Sequence, residues 1–310
     1  MHHRGTLVFE RAYGETRADA RARPVYRDTR FDLASITKIF VSTAALELVQ
    51  AGTLTLDEPL VPWISEWEKT DHAAVTLRML LSHTAGLNSG ADYRQLLDSN
   101  VRRFALTREL VASPGERVIY SDLGFIVLGV LLERVTAFDL AQLIEGYRPR
   151  RALWDGIPAT EEDPWRGRVQ GYVHDEKAYL MGGVAGHAGI FGTAADVAAL
   201  GERYLGALHG RPTTLARRIV EQAVQEQAAD PELRRGLGWA LKTTDQNSCG
   251  RWFCASSFGH TGFVGTCVWI DPIRDLNAVL LTNSVYFGRG DTRDVRAAFY
   301  EAVVDDLNLR

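Results

Sequence analysis

Strand-like sequence lies near the two ends of this chain, and helical and irregular sequence fills the middle. Thr6-Leu7-Val8-Phe9-Glu10-Arg11-Ala12-Tyr13-Gly14 reads as a strand ending at a glycine. Three more strand-like runs follow at 236–242, 262–270 and 276–283, and a last helix covers about 291–306. Between them come helical patterns at 76–83, 92–110, 121–135, 139–147, 194–208 and 213–228, with an irregular segment at 150–192. A sheet in such a chain must be assembled from both termini. This predicts an α+β fold: an antiparallel sheet flanked by helices, with a helical lobe inserted between its parts. The expected division is 1–60 with 190–310 as the α/β lobe, and 61–189 as the mainly helical lobe and cleft loop. A ligand site is expected in the cleft.

The stretch Ser35-Ile36-Thr37-Lys38 opens the first long helical pattern. No Gly or Pro interrupts it before Gly52, and Ile39, Val41, Ala45, Leu46 and Val49 have the spacing of a buried helix face. Positions i and i+3 share a face, so the Lys38 amine is expected beside the Ser35 hydroxyl. A helix start also offers free backbone N–H groups and a positive dipole end. A hydroxyl, an amine that can take its proton and donors for an oxyanion are the parts of an activated nucleophile. The same four residues also fit a plain N-cap followed by a solvated lysine.

Composition narrows the function classes. With 310 residues and 46% hydrophobic residues the chain has ample core. A net charge of −4 without a basic stripe excludes a nucleic-acid partner. The longest apolar run, near 125–132, is too short to span a membrane. The start, Met1-His2-His3-Arg4-Gly5, has no signal-peptide pattern, so a cytoplasmic location is expected. The three cysteines, Cys249, Cys254 and Cys267, suit a reducing compartment, and Cys249 and Cys254 are close enough in sequence to pair if oxidised. No metal or other cofactor is expected: His174-Asp175-Glu176 and His187 lack the spacing of a tight ligand set. The glycines at 183, 186 and 189 make no dinucleotide fingerprint, and no Gly-x-Ser-x-Gly elbow is present.

Two later stretches complete a pattern with the first: Tyr120-Ser121-Asp122, and Gly259-His260-Thr261-Gly262-Phe263-Val264-Gly265-Thr266, read as the start of a strand. With His83-Thr84-Ala85-Gly86-Leu87, the glycine-rich run 183–193, Gly236-Leu237-Gly238-Trp239 and Leu281-Thr282-Asn283, the chain resembles the serine β-lactamase and penicillin-binding-protein superfamily. The likeness is to its class C, DD-peptidase and family VIII esterase side, and it covers nearly the whole chain. The order Ser-x-x-Lys, Tyr-x-Asn, then Lys-Thr-Gly or His-Thr-Gly is kept, with Asp122 in place of the asparagine.

The resemblance implies Ser35 as nucleophile, Lys38 as the amine beside it and Tyr120 as second proton carrier, its anion favoured by Lys38. It implies His260, Thr261 and Gly262 on the substrate side, with the N–H groups of Ser35 and Phe263 as oxyanion hole. His83 is expected to be structural. Two departures bear on substrate. Asp122 cannot donate to a substrate carbonyl as an amide can, but it can hold Lys38 by charge. His260 replaces a permanent lysine cation and is a weaker anchor for a carboxylate. The family's usual helix and strand ahead of residues 5–13 have no counterpart here, so a strand position in the sheet is expected to be vacant. The implied activity is that of a serine hydrolase forming an acyl-enzyme on an ester or amide, as an esterase or a peptidase/amidase, peptidoglycan-derived substrates included. The partner is then a small molecule or peptide. A class C-type β-lactamase or penicillin-binding protein, and a non-catalytic homologue binding wall fragments or peptides, are the alternative readings.

Overall fold

The computed structural model describes residues 1–89, 93–143, 151–228, 230–231 and 234–310. In chain order the first elements are β1 (His2–His3), β2 (Thr6–Leu7), β3 (Phe31–Asp32), α1 (Thr37–Gln50), α2 (Leu77–Leu81), α3 (Val101–Thr107), α4 (Asp122–Thr136) and α5 (Leu140–Leu143). The middle holds β4 (Glu161–Asp163), β5 (Gly167–Val169), α6 (Glu176–Leu180), β6 (Phe191–Gly192), α7 (Ala194–His209) and α8 (Arg217–Val224). Then come β7 (Ala240–Leu241), β8 (Phe258–Thr261), β9 (Cys267–Asp271), β10 (Leu276–Leu280) and α9 (Arg293–Asp306).

The main sheet has six strands in the order β2-β1-β10-β9-β8-β7, each pair antiparallel. Both chain ends therefore contribute to one sheet, as the distribution of strand-like sequence requires. The alternation of β9 and β10 explains the layering. Cys267, Trp269, Leu276 and Ala278 face Tyr300, Val303 and Val304 of α9 on one side. Val268 and Ile270 face the opposite side, where they join the core containing Leu200, Tyr204 and Leu205 of α7. Asn277 points the same way and donates to the Ala198 carbonyl and to Glu202 of α7 at 2.8 and 3.0 Å, so a buried amide ties that helix to the sheet. The core on the α7 side is continuous: it runs on through α1 and α2 to Leu123–Leu132 of α4.

Some expected boundaries differ. The run 6–14 is a strand only at Thr6–Leu7. The run 262–270 is two elements, because β8 ends at Thr261 and a tight turn precedes β9. In that turn Gly262 N–H donates to the Thr266 carbonyl at 2.7 Å, and Gly265 adopts φ +111°. His260 is therefore near the end of a strand, not at the start of one. The strand at 236–242 shortens to Ala240–Leu241, and the irregular segment contains the β4–β5 hairpin and α6. Residues 144–147 of the expected helix at 139–147, and residue 92 of that at 92–110, lie outside the described residues. All three cysteines are free. Among the described residues no helix is long and apolar enough to cross a membrane.

Candidate active site

Ser35 does not cap a helix. It stands in a 3-10 turn, Ala34–Ile36, that runs directly into α1 without a side-chain cap. The turn is fixed from several sides. The short ladder of β3 with β6 aligns the preceding residues, and Leu33 N–H donates to the Ile190 carbonyl at 3.0 Å. Asp32 accepts from the Ala34 and His174 amides at 2.8 and 2.7 Å. Ala34 is held at φ +47°, a strained region for a residue with a Cβ.

One turn on, Lys38 is completely buried. Its ammonium donates to Ser35 Oγ at 2.9 Å, to Asp122 Oδ1 at 2.8 Å and to the His187 carbonyl at 3.4 Å. An ammonium has three donors, and all three are used. Burial works against its charge, but Asp122, with Tyr120 beside it, holds its pKa above the ordinary lysine value. Burial likewise opposes the Asp122 charge, yet Lys38, with His187 and Lys177 further off, holds that carboxyl down at about 2. The pair is therefore ionic.

The Tyr120-Ser121-Asp122 stretch is placed by its own motif partner. His83, at φ +61°, accepts the Ser121 amide on Nδ1 at 3.0 Å and the Ile119 amide on its carbonyl at 2.8 Å. Ser89 Oγ accepts from the Asp122 amide at 2.8 Å, and Ser121 Oγ caps α4 by accepting from Gly124 N–H at 2.9 Å. The Tyr120 ring lies 4.9 Å from Lys38 Nζ, 4.6 Å from the His83 ring and 6.3 Å from the His260 ring. Ser35, Lys38, Tyr120, Asp122 and His260 thus meet in one place, although 225 positions separate the first from the last.

His260 Nδ1 faces the Thr261 carbonyl at 2.8 Å, so it carries the hydrogen and Nε2 keeps a lone pair. Burial, then Arg235 and Lys38 nearby, push its pKa down to about 3. It is a neutral imidazole and supplies no cation. The turn after it abuts the segment that carries Ser35: Thr266 Oγ1 donates to the Leu33 carbonyl at 3.2 Å. A Cβ on Gly262 would sit 2.6 Å from that carbonyl oxygen, so only glycine fits this approach. Phe263 exposes its side chain, 53%, with its ring 5.4 Å from that of His174.

Several residues had no signal in the motifs. Arg296 of α9, 8% exposed, donates to the Gly262 carbonyl at 2.7 Å and to the Thr266 carbonyl at 3.3 Å, holding the turn from behind. Its one sequence signal is a charge on the apolar face shared with Tyr300, Val303 and Val304. The Arg235 guanidinium lies 5.2 Å from the Tyr120 ring centre. Lys177 reaches Asp122 at 3.4 Å and Asp175 at 3.5 Å. Of the residues weighed as metal ligands, Asp175 and His187 pair with each other, while His174 and Glu176 have other partners. His174 Nδ1 lies 3.0 Å from Thr160 Oγ1, and Glu176 faces Arg289. Asp175 bonds His187 Nε2 at 2.7 Å and caps α6 through Ala178 N–H at 2.8 Å. Asp122, Asp175 and His187 do come within 4.8 Å of one another, but Lys38 and Lys177 already meet their charge.

A model of the family described as Beta-lactamase matches residues 2–302. The chain belongs to the beta-lactamase family. Esterase EstB of Burkholderia gladioli is 30% identical over 342 residues, covering 92% of this chain and 84% of the esterase. A putative D-alanyl-D-alanine carboxypeptidase of Escherichia coli O157:H7 is 28% identical over 333 residues, covering 89% of this chain and 75% of that one. Among solved structures, EstCE1, described as a hydrolase with promiscuous acyltransferase activity, superposes with a TM-score of 0.75 at 22% identity. That match covers 96% of this chain and 92% of EstCE1, and it shows the shared fold. Within the beta-lactamase family the chain is a serine hydrolase.

Proposed function

We propose that this enzyme hydrolyses an ester or amide through an acyl-enzyme on Ser35. The observation that carries the reading is the buried Lys38 ammonium 2.9 Å from Ser35 Oγ, locked by Asp122. A lysine kept only as a surface charge has no reason to be fully buried against a serine hydroxyl. Ser35 Oγ bonds to the substrate carbonyl carbon, and its proton passes to the Lys38–Tyr120 pair. In the reactive form that pair holds one proton fewer than in the resting ammonium state. The pair then protonates the leaving alcohol or amine as its bond to carbon breaks. Water attacks the acyl-Ser35 ester, losing a proton to the same pair; the bond from carbon to Ser35 Oγ then breaks, Oγ takes that proton back from the pair, and the acid is released. The Ser35 amide, in the 3-10 turn that leads into α1, and the Phe263 amide, in the turn held by Arg296, are the oxyanion donors in this reading.

The neutral, buried His260 favours esterase or peptidase/amidase activity over β-lactam turnover, since it offers no fixed cation to a substrate carboxylate. The test uses a fluorophosphonate probe, a p-nitrophenyl acyl ester and a chromogenic cephalosporin. The probe is expected to label Ser35, the ester to be hydrolysed and the cephalosporin to be turned over slowly. A parent protein no more reactive than Ser35→Ala would overturn the reading and leave the non-catalytic binding protein. Rapid cephalosporin turnover would favour the β-lactamase alternative.

A further inference from the structure

Asp122 does not belong to Lys38 alone. Its Oδ1 lies 2.8 Å from Lys38 Nζ, while its Oδ2 lies 3.4 Å from Nζ of Lys177 on α6. Lys177 in turn faces Asp175 Oδ2 at 3.5 Å, and Asp175 Oδ1 accepts from His187 Nε2 at 2.7 Å. The His187 carbonyl closes the ring on Lys38 at 3.4 Å. Two ammoniums and two carboxylates thus form a nearly enclosed, charge-balanced circuit, in which the Lys177 side chain is only 12% exposed.

We propose that Lys177 is a positioning residue, which by taking half of Asp122 sets how tightly the ammonium beside Ser35 is held. The inference rests on the reading of Ser35 and Lys38 as the reactive pair. Its physical basis is a conflict within that pair. Asp122 is needed to keep a buried lysine in place, but a carboxylate given wholly to Lys38 would also keep it protonated, and an ammonium cannot take the serine proton. A second ammonium on the same carboxylate weakens that grip and repels the first, without removing the anchor. Burial opposes the charge on Lys177, but Asp175 and Asp122 together hold its pKa above the ordinary lysine value, so it supplies a steady positive charge.

The other groups facing Lys38 do not do this. Tyr120 lies against it from the start of α4. His83, after α2, and His260, on β8, are both buried and kept neutral. His187 offers Lys38 its carbonyl, and its imidazole, within 4.8 Å of the Asp122 carboxylate, is turned to Asp175 through Nε2 at 2.7 Å. Arg235, ahead of β7, faces the Tyr120 ring and has no ion pair with Asp122 among the described residues. Lys177 is therefore the cation that shares the carboxylate.

The experiment is the pH dependence of Ser35 labelling by a fluorophosphonate, for the parent and for Lys177→Met, Lys177→Gln and Lys177→Arg. Removing the charge leaves Lys38 more firmly protonated. The acid limb of the rate profile is then expected to move to higher pH by about one unit, with roughly tenfold slower labelling below the limb. Lys177→Arg is expected to restore the parent profile. If Met and Gln variants lower the rate equally at all pH values, or leave the profile unchanged, the proposal is overturned. Should Lys177→Met fail to fold, Lys177→Gln, which is neutral but keeps a hydrogen-bond donor, decides. Absence of labelling in the parent would instead count against the proposed function.

Discussion

At the residue scale, Lys38 and Asp122 stabilise one another only as a pair. Lys38→Met leaves a largely buried carboxylate with Lys177 alone, so it is expected to cost about 3–5 kcal/mol of stability. Labelling of Ser35 is expected to fall by roughly 10²–10⁴-fold. The double variant Lys38→Met with Asp122→Asn should regain most of the stability and none of the labelling, read by urea unfolding and probe kinetics in parallel. His260 makes a second prediction. Its pKa falls from 6.5 in the unfolded chain to about 3 in the fold. Between those values the unfolded chain binds a proton that the folded one refuses. The stability it contributes is complete above pH ~6.5 and is lost as pH falls toward 3. His83, also lowered by burial, acts in the same direction. Asp32, raised by burial to about 6, acts in the opposite one, its contribution being lost as pH rises through 6. His260→Gln is expected to flatten the dependence of unfolding free energy on pH by up to ~1.4 kcal/mol per unit between about pH 4 and 6. Parallel curves for parent and variant would show that His260 titrates normally.

At the element scale, the site depends on helix α4 lying directly against the glycine-rich segment 183–193. A Cβ on Gly186 would stand 1.9 Å from the Phe125 carbonyl oxygen and 3.0 Å from the Gly129 amide nitrogen. The two backbones touch there, and the next residue along, His187, supplies the carbonyl for Lys38. Gly186→Ala is therefore expected to lower stability by about 1–3 kcal/mol or more and to slow Ser35 labelling as well. Gly156, where a Cβ meets nothing within 4 Å, serves as the control, and Gly156→Ala should change neither. Equal behaviour of the two variants in urea titration would refute the close approach. The same logic applies at the other wall of the site, where Arg296 of α9 reaches past the sheet to the carbonyls of the turn that carries Phe263.

At the scale of the whole molecule, one core joins the helices to the sheet. Trp67, between α1 and α2 in sequence, and Trp239, beside β7, are both fully buried in it. A continuous core predicts that the helical and sheet regions unfold together. Single-tryptophan reporters at Trp67 and Trp239 should give coincident urea transitions, matching that of far-ultraviolet circular dichroism. Two separated midpoints would show that the inserted helices unfold as a unit of their own.

Much of this was written into the sequence because it is local. The periodicity of Ile39, Val41, Ala45 and Leu46 sets a buried helix whatever surrounds it, and the three-residue step from Ser35 to Lys38 places amine and hydroxyl together. The distribution of strand-like runs required one sheet from both ends, and the motif order assigned the family. Strand ends were less legible: glycines at 262 and 265 turn the chain where apolar residues alone suggested one strand from 262 to 270. What the tertiary structure alone decided is the electrostatic setting. His260 is neutral because it is buried and has Arg235 and Lys38, far off in sequence, nearby in the fold, and Asp122 is shared because α6 brings Lys177 to its second oxygen. Arg296 matters because α9 crosses behind a turn 30 residues earlier in the chain. Pattern reports the face a residue occupies; only folding determines which charges, far apart in sequence, share that face in a medium where water no longer screens them.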